Sequence, residues 1–292
     1  YMTMKKVLSC ITAAVLAATL SVGLAACNTA EEETLSYTDK ALSVIGSFAS
    51  GDTQPALDYM AEDYIQHNPD YATGRDAFIE SVEGLAAAPA QTTVENIRAF
   101  KDGNYVFLQT VYNFAGAGEQ VAFDIFRFEG GLIAEHWDNL AEKADPNPSG
   151  NTQTDGYTAL EDTDKTVENK TLVIRFLQDV MMGNDLGNMA SYFDGDNYIQ
   201  HNTGIANGVA ALTEALGQLA EAGQEMRYDK THMVLAQGNF VLAVSEGNMG
   251  PVGADAATCF YDLWRIEDGK IAEHWDVVSA IPEESSNDNG KF

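Results

Sequence analysis

Four of the five histidines in this chain sit inside short motifs that occur twice. Tyr64-Ile65-Gln66-His67-Asn68 returns as Tyr198-Ile199-Gln200-His201-Asn202. Ile133-Ala134-Glu135-His136-Trp137-Asp138 returns as Ile271-Ala272-Glu273-His274-Trp275-Asp276. Ahead of the latter pair run Phe123-Asp124-Ile125-Phe126-Arg127 and Tyr261-Asp262-Leu263-Trp264-Arg265. A carboxylate in an apolar pocket has its pKa raised by desolvation, and a nearby imidazole can donate or shuttle a proton. The pairs expected to do so are Asp124 with His136 and Asp262 with His274, with His67 and His201 lining the mouth or orienting substrate. The plainer reading is that these histidines cap loops or bond backbone while the tryptophans pack. Polar groups without a task are expensive in a core, which favours chemistry. Arg127 and Arg265 read equally as salt-bridge partners or ligand contacts.

Other chemistries find less in the residues. Two histidines and a carboxylate would suit iron or zinc, but no His-x-x-x-His spacing is present. The expectation is no metal and no cofactor. No Gly-rich phosphate loop, serine nucleophile elbow or haem-type Cys motif occurs. Cys259, beside Phe260 and Tyr261, reads as a small buried hydrophobe, since no basic neighbour would lower its pKa.

The elements that must position these residues repeat with them. The offset between copies is 134 at Tyr64/Tyr198 and Gly74/Gly208, 135 at Gly103/Gly238 and 138 at His136/His274, as loop insertions would give. Two domains are therefore expected at 35–144 and 162–282, with a Pro/Asn/Gly-rich linker at 145–161 and a polar tail at 283–292 that frays. Apolar periodicity predicts helices at 36–49 and 75–85, repeated at 166–182 and 209–221. Four strand-like runs close the first copy at 92–100, 105–114, 120–128 and 132–139. Helices first and hairpin-linked strands afterwards mean an α+β fold with an antiparallel sheet.

Charge sets the class of partner. The 16 Lys+Arg against 44 Asp+Glu give a net charge of −28 with no basic cluster, which excludes nucleic acid. The acidity belongs to both halves, with 17 acids against 6 bases in 35–144 and 19 against 7 in 161–282. It reads chiefly as a solubilising surface.

Lys5 and Lys6 precede a small apolar run from Val7 to Ala26, the pattern of an export signal over 1–26. Leu24-Ala25-Ala26-Cys27 resembles the lipobox of bacterial lipoproteins. The resemblance implies lipidation of Cys27, a tether at 27–34 and an extracytoplasmic, lipid-anchored place in a bacterial envelope. Lipid would be reached through Cys27 only.

The order of Tyr-Ile-Gln-His-Asn, the following Gly, Phe-Asp-Ile-Phe-Arg and Glu-His-Trp-Asp resembles the SnoaL-like polyketide cyclase branch of the nuclear-transport-factor-2-like superfamily. The resemblance implies tandem cones, each a curved sheet wrapped round N-terminal helices, with a small apolar molecule in each pocket. It also implies a strand-borne Asp, a role carried onto Asp124 and Asp262, for cofactor-free aldol or enolisation chemistry on a small carbonyl compound. The alternative is a non-catalytic lipoprotein that captures an apolar small molecule.

Two geometric expectations follow. Phe123, Ile125, Ile133 and Trp137, with Tyr261, Leu263, Ile271 and Trp275, should alternate onto outer sheet faces that dock as an intrachain pseudo-dimer. Each hairpin at Glu129-Gly130-Gly131 and Glu267-Asp268-Gly269 is expected as a three-residue loop, placing Asp124 opposite His136 and Asp262 opposite His274.

Overall fold

The computed structural model describes residues 35–292; the proposed signal and Cys27 lie outside the described residues. The first repeat begins with α1 (Tyr37–Ser50), whose buried Ala41, Val44 and Ile45 form one apolar stripe. Ser36 caps it by accepting the Asp39 N–H, and Gly51 ends it in a left-handed conformation. Then come α2 (Gln54–Tyr59), β1 (Met60–Gln66), α3 (Arg75–Ala86), β2 (Thr93–Asp102), β3 (Tyr105–Asn113), β4 (Gln120–Glu129) and β5 (Leu132–Glu142). The second repeat runs α4 (Thr166–Phe176), β6 (Ile199–Gln200), α5 (Val209–Glu221), β7 (Gln224–Gln237), β8 (Phe240–Pro251), β9 (Ala257–Glu267) and β10 (Lys270–Ala280). A π-helical turn over Leu177–Met182 extends α4.

The sheets have the orders β1-β5-β4-β3-β2 and β6-β10-β9-β8-β7. Four strands in each are antiparallel as expected, and the Tyr-Ile-Gln segment adds a fifth, parallel one at the edge. Each repeat is thus an α+β cone with its own inner core, Val44, Leu108 and Phe126 in the first and Phe176, Val241 and Trp264 in the second.

The two outer faces pack on each other. Phe107, Phe123, Ile125 and Trp137 share one buried cluster with Leu242, Tyr261, Leu263 and Trp275. Strips that would be exposed on a single cone are covered by the other copy. Asn139 crosses the junction, donating to the Val277 carbonyl at 2.8 Å and accepting from Ser279 at 2.6 Å. Cys259 is buried in this junction, and burial pushes its thiol up to about 12, so it is inert.

Ile133 and Ile271 depart from expectation: they lie in the inner cores of their repeats. The hairpin explains it. Glu129 pairs with Leu132 and Glu267 with Lys270, so each turn has two central residues, all four at positive φ. That is the type I′ geometry that matches strand twist. The pairing then jumps between Ile133 and Glu135 and between Ile271 and Glu273, leaving Ala134 and Ala272 as single-residue bulges. A bulge reverses face parity, so the isoleucines before it point inward with the histidines after it.

The tail does not fray. Asn287 Nδ2 donates to the carbonyls of Asn68 and Tyr71, both at 2.8 Å, and Asn289 Nδ2 to that of Gln66 at 2.8 Å. The linker straps the second repeat in the same way. Asn147 Nδ2 donates to the carbonyls of Gln200, Asn202 and Ile205, and Asn151 Nδ2 to that of Gln200. The duplication therefore extends to these polar straps.

Candidate acid–base site

Alternation along β1 sends Tyr64, Gln66 and then Asn68 toward the inside of the first cone, while alternation along β5 sends His136 and Asp138 there. His136 Nε2 lies 3.1 Å from Asp124 Oδ1, and His274 Nε2 lies 2.9 Å from Asp262 Oδ1. The pairs meet although the expected register is wrong. Asp124 pairs with Asp138 and Asp262 with Asp276, while His136 faces Phe126 and His274 faces Trp264. The two-residue turn would have set His and Asp on opposite faces, and the bulge brings them back to one.

Each His is held from behind. Gln66 Oε1 accepts the Asn68 backbone N–H at 2.9 Å, which fixes it as the carbonyl end of the amide. His136 Nδ1, 3.0 Å from the same oxygen, must therefore donate to it. Gln200 does the same for His274 at 2.8 Å, its oxygen also accepting the His201 and Asn202 backbone N–H groups at 3.0 and 2.9 Å. With Nδ1 committed as a donor, Nε2 and the Asp oxygen can only meet over one shared proton. The pair is either imidazolium with carboxylate or imidazole with carboxylic acid, and both forms suit proton transfer.

Two further groups complete each unit. Tyr112 donates to Asp124 Oδ2 at 3.0 Å, and Tyr228 donates to Asp262 Oδ2 at 3.0 Å. Asn68 donates to Asp138 Oδ2 at 2.8 Å, and Asn202 to Asp276 Oδ2 at 2.7 Å. Burial holds the Asp124 and Asp276 carboxyls above the usual range, opposed only in part by the bond and charge of His136 at Asp124 and by the charge of His274 at Asp276. Burial alone would lower His274, but its bond to Asp262 and the charges of Asp276 and Asp262 outweigh this and raise it. Asp124, His136 and Asp138, like Asp262, His274 and Asp276, bring potential ligand atoms within 4.8 Å of one another. One nitrogen and two carboxylates at that spacing form a donor set for a divalent cation, from residues whose sequence spacing carries no metal signature.

His67 and His201 do not line either cavity. They lie on the other side of their strands, stacked on Trp137 and Trp275 with ring centroids 4.8 Å apart in both copies. Each bonds a Glu at 2.8 Å, Glu135 and Glu273, and a strap carbonyl, that of Gly290 or Thr152. Their place one residue beyond Gln66 and Gln200 puts them out of phase with the cavity. Arg127 and Arg265 are salt-bridge partners of the same two glutamates, at 2.7 and 2.8 Å.

The SnoaL-like domain profile matches residues 43–136 and again 173–274, which takes in both Asp–His pairs. The chain belongs to the SnoaL-like domain family. No curated protein matches it in sequence. Among solved structures, an NTF2-like protein of unknown function from Cytophaga hutchinsonii is 16% identical, with 38% of this chain and 94% of that one aligned at a TM-score of 0.34. TsrD from Streptomyces laurentii is 16% identical over 37% of this chain and 91% of its own, at 0.31. An LEH-like epoxide hydrolase from M. tuberculosis is 19% identical over 39% and 85%, at 0.34.

The SnoaL-like repeats hold unequal cavities. The first encloses about 50 Å³ among Phe48, Phe78, Phe114, Asp124 and His136. The second is an open cleft of about 610 Å³, walled by Met181, Met189, Met226 and Leu216, with Asp262, His274 and Asp276 among its polar lining. Sequence reading missed the tyrosine hydroxyls and the Gln-Asn supports. The period-2 phase of Tyr-Ile-Gln-His-Asn could have shown Tyr, Gln and Asn on the face opposite to His. No local pattern pointed to Tyr112 or Tyr228.

Proposed function

We propose that this protein is a lipid-anchored, extracytoplasmic catalyst of proton transfer on an apolar carbonyl compound, of the aldol or enolisation type and independent of a cofactor. One observation carries the reading: an Asp–His pair built over one shared proton, oriented by Gln and Tyr, faces an apolar cavity in both repeats. Removing a proton alpha to a carbonyl requires a base, and the enolate oxygen that develops requires a donor. A carboxylate and an N–H or O–H within 3.1 Å of each other supply both. Exclusion of water by the apolar walls strengthens these interactions. The Leu24-Ala25-Ala26-Cys27 motif supports the anchor, with Cys27 as the acylated residue.

The test is deuterium uptake alpha to the carbonyl of a panel of apolar aryl and alkyl ketones in D2O, followed by proton NMR. The full chain should accelerate uptake with EDTA present, and the Asp124→Asn/Asp262→Asn double variant should not. Ketone binding without exchange would leave the capture function in place of catalysis. Exchange abolished by EDTA would assign the Asp–His–Asp set to a metal instead.

A further inference from the structure

The two repeats keep a tyrosine hydroxyl on the same carboxylate oxygen but take it from different strands. In the first, Leu108 pairs with Asp124, and Tyr112 follows four residues along β3, opposite Val94 of β2. In the second, Ala243 pairs with Asp262, and the residue four further along β8 is Gly247, opposite Tyr228 of β7. The tyrosine has changed places with its cross-strand neighbour. Both hydroxyls nevertheless donate to Oδ2 of the pocket Asp at 3.0 Å.

The exchange changes what fills the cone. Tyr112 stacks on Phe114 at 4.9 Å, Phe114 meets Phe48 edge-on at 5.6 Å, and Phe48 lies 4.9 Å from Phe78. These four rings plug the first cavity. In the second copy Tyr228 instead stacks on Phe260 at 4.2 Å. A side chain at position 247 is excluded, because a Cβ there would overlap the Arg227 carbonyl oxygen. The places of Phe78 and Phe114 are taken by Leu212 and Met249, counted from Gly74/Gly208 and from Tyr112/Gly247. The result is about 50 Å³ on one side and about 610 Å³ on the other. The first volume has room for a few waters. The second lies in the range of ligand sites.

We infer that only the second repeat takes the organic ligand, and that moving tyrosine from the β3 position to the β7 position opened it while keeping the hydroxyl on the Asp. The ligand is an apolar molecule of ligand-site size with its carbonyl at one end, where Asp262, His274 and Asp276 stand, and its apolar body against flexible methionines that adapt to its shape. This rests on the proposed function for the ligand's apolar carbonyl character, but the asymmetry stands on the cavities.

The experiment titrates the full chain with 6-propionyl-2-(dimethylamino)naphthalene, an apolar fluorescent ketone, and reads stoichiometry by fluorescence and calorimetry. One molecule should bind per chain. Leu216→Trp, which fills the second cavity, should weaken binding at least tenfold. Grafting the second repeat's residues into the first, as Phe78→Leu/Phe114→Met or as Val94→Tyr/Tyr112→Gly, should raise the stoichiometry from one to two. Two molecules bound by the parent chain, or binding indifferent to Leu216→Trp, would overturn the asymmetry and leave the proposed chemistry standing. A stoichiometry of one in both grafts, with circular dichroism unchanged, would overturn the exchange as its cause. No binding to the parent or to either graft would sink the apolar-ketone reading itself, and this inference with it.

Discussion

His274 Nε2 lies 2.9 Å from Oδ1 of Asp262 although the two residues are not cross-strand partners. Their contact runs along one face of the sheet and depends on the bulge at Ala272. Removing either group should lower the rate of α-proton exchange by about 10²- to 10⁴-fold, the usual worth of a positioned acid or base. His274→Ala should show this loss, measured by NMR, with circular dichroism showing the fold retained.

The tyrosine hydroxyls should matter through the carboxylates they serve. The Tyr112 bond lowers the Asp124 pKa, against the larger upward effect of burial. Tyr112→Phe should therefore raise the pH at which Asp124 titrates, as read from its carboxyl carbon by NMR. A titration that does not move would show the hydroxyl to be a packing group only.

Stability should fall as pH rises through the site's titrations. Folding raises the pKa of His274 from its usual 6.5, so the folded state binds more protons than the unfolded chain there. That contribution is fully present below 6.5 and is lost as pH rises through the folded-state value. Asp124 and Asp276, raised from 3.8, act with the same sign in a window that opens at lower pH. Urea midpoints should decline as pH rises above 6.5, and His274→Ala should flatten the decline.

The docked sheets should unfold together. Ile125 and Leu263 are fully buried in the cluster shared by both repeats. Ile125→Ala should cost about 2–5 kcal/mol, the range for truncating a buried aliphatic side chain. A single denaturation transition followed by tryptophan fluorescence is expected, and two separate transitions would contradict a shared core.

The straps predict local effects. Asn147 satisfies three backbone carbonyls of the second repeat, and Asn287 two of the first. Losing those side-chain bonds should cost about 0.5–1.5 kcal/mol for each one removed. Hydrogen exchange should quicken around 200–205 in Asn147→Ala and around 66–71 in Asn287→Ala. Exchange that quickens uniformly would make the straps part of the global core.

Much of this protein is local and therefore legible in its sequence. Period 3.6 and period 2 in the apolar residues give the helices and strands, and the doubled motifs give two domains of one fold. Alternation also sends Phe123, Trp137, Tyr261 and Trp275 outward, so the docking of two sheets follows from the same pattern. The chemistry-bearing pairs could be named because few polar residues recur between the copies. What tertiary structure decided is everything that depends on register and volume. A bulge is one extra residue, and Ala134 and Ala272 carry no mark of it, yet it sets the face of every residue from Ile133 to Asp138 and from Ile271 to Asp276. The partner of the pocket carboxylate is a tyrosine that can stand on either of two adjacent strands, because only its hydroxyl must reach a fixed point. Cavity size is a difference between large filled volumes, and a few ring-for-aliphatic exchanges separate about 50 Å³ from about 610 Å³. The straps are polar loops whose order comes from carbonyls far away in sequence, a relationship that only the folded chain creates.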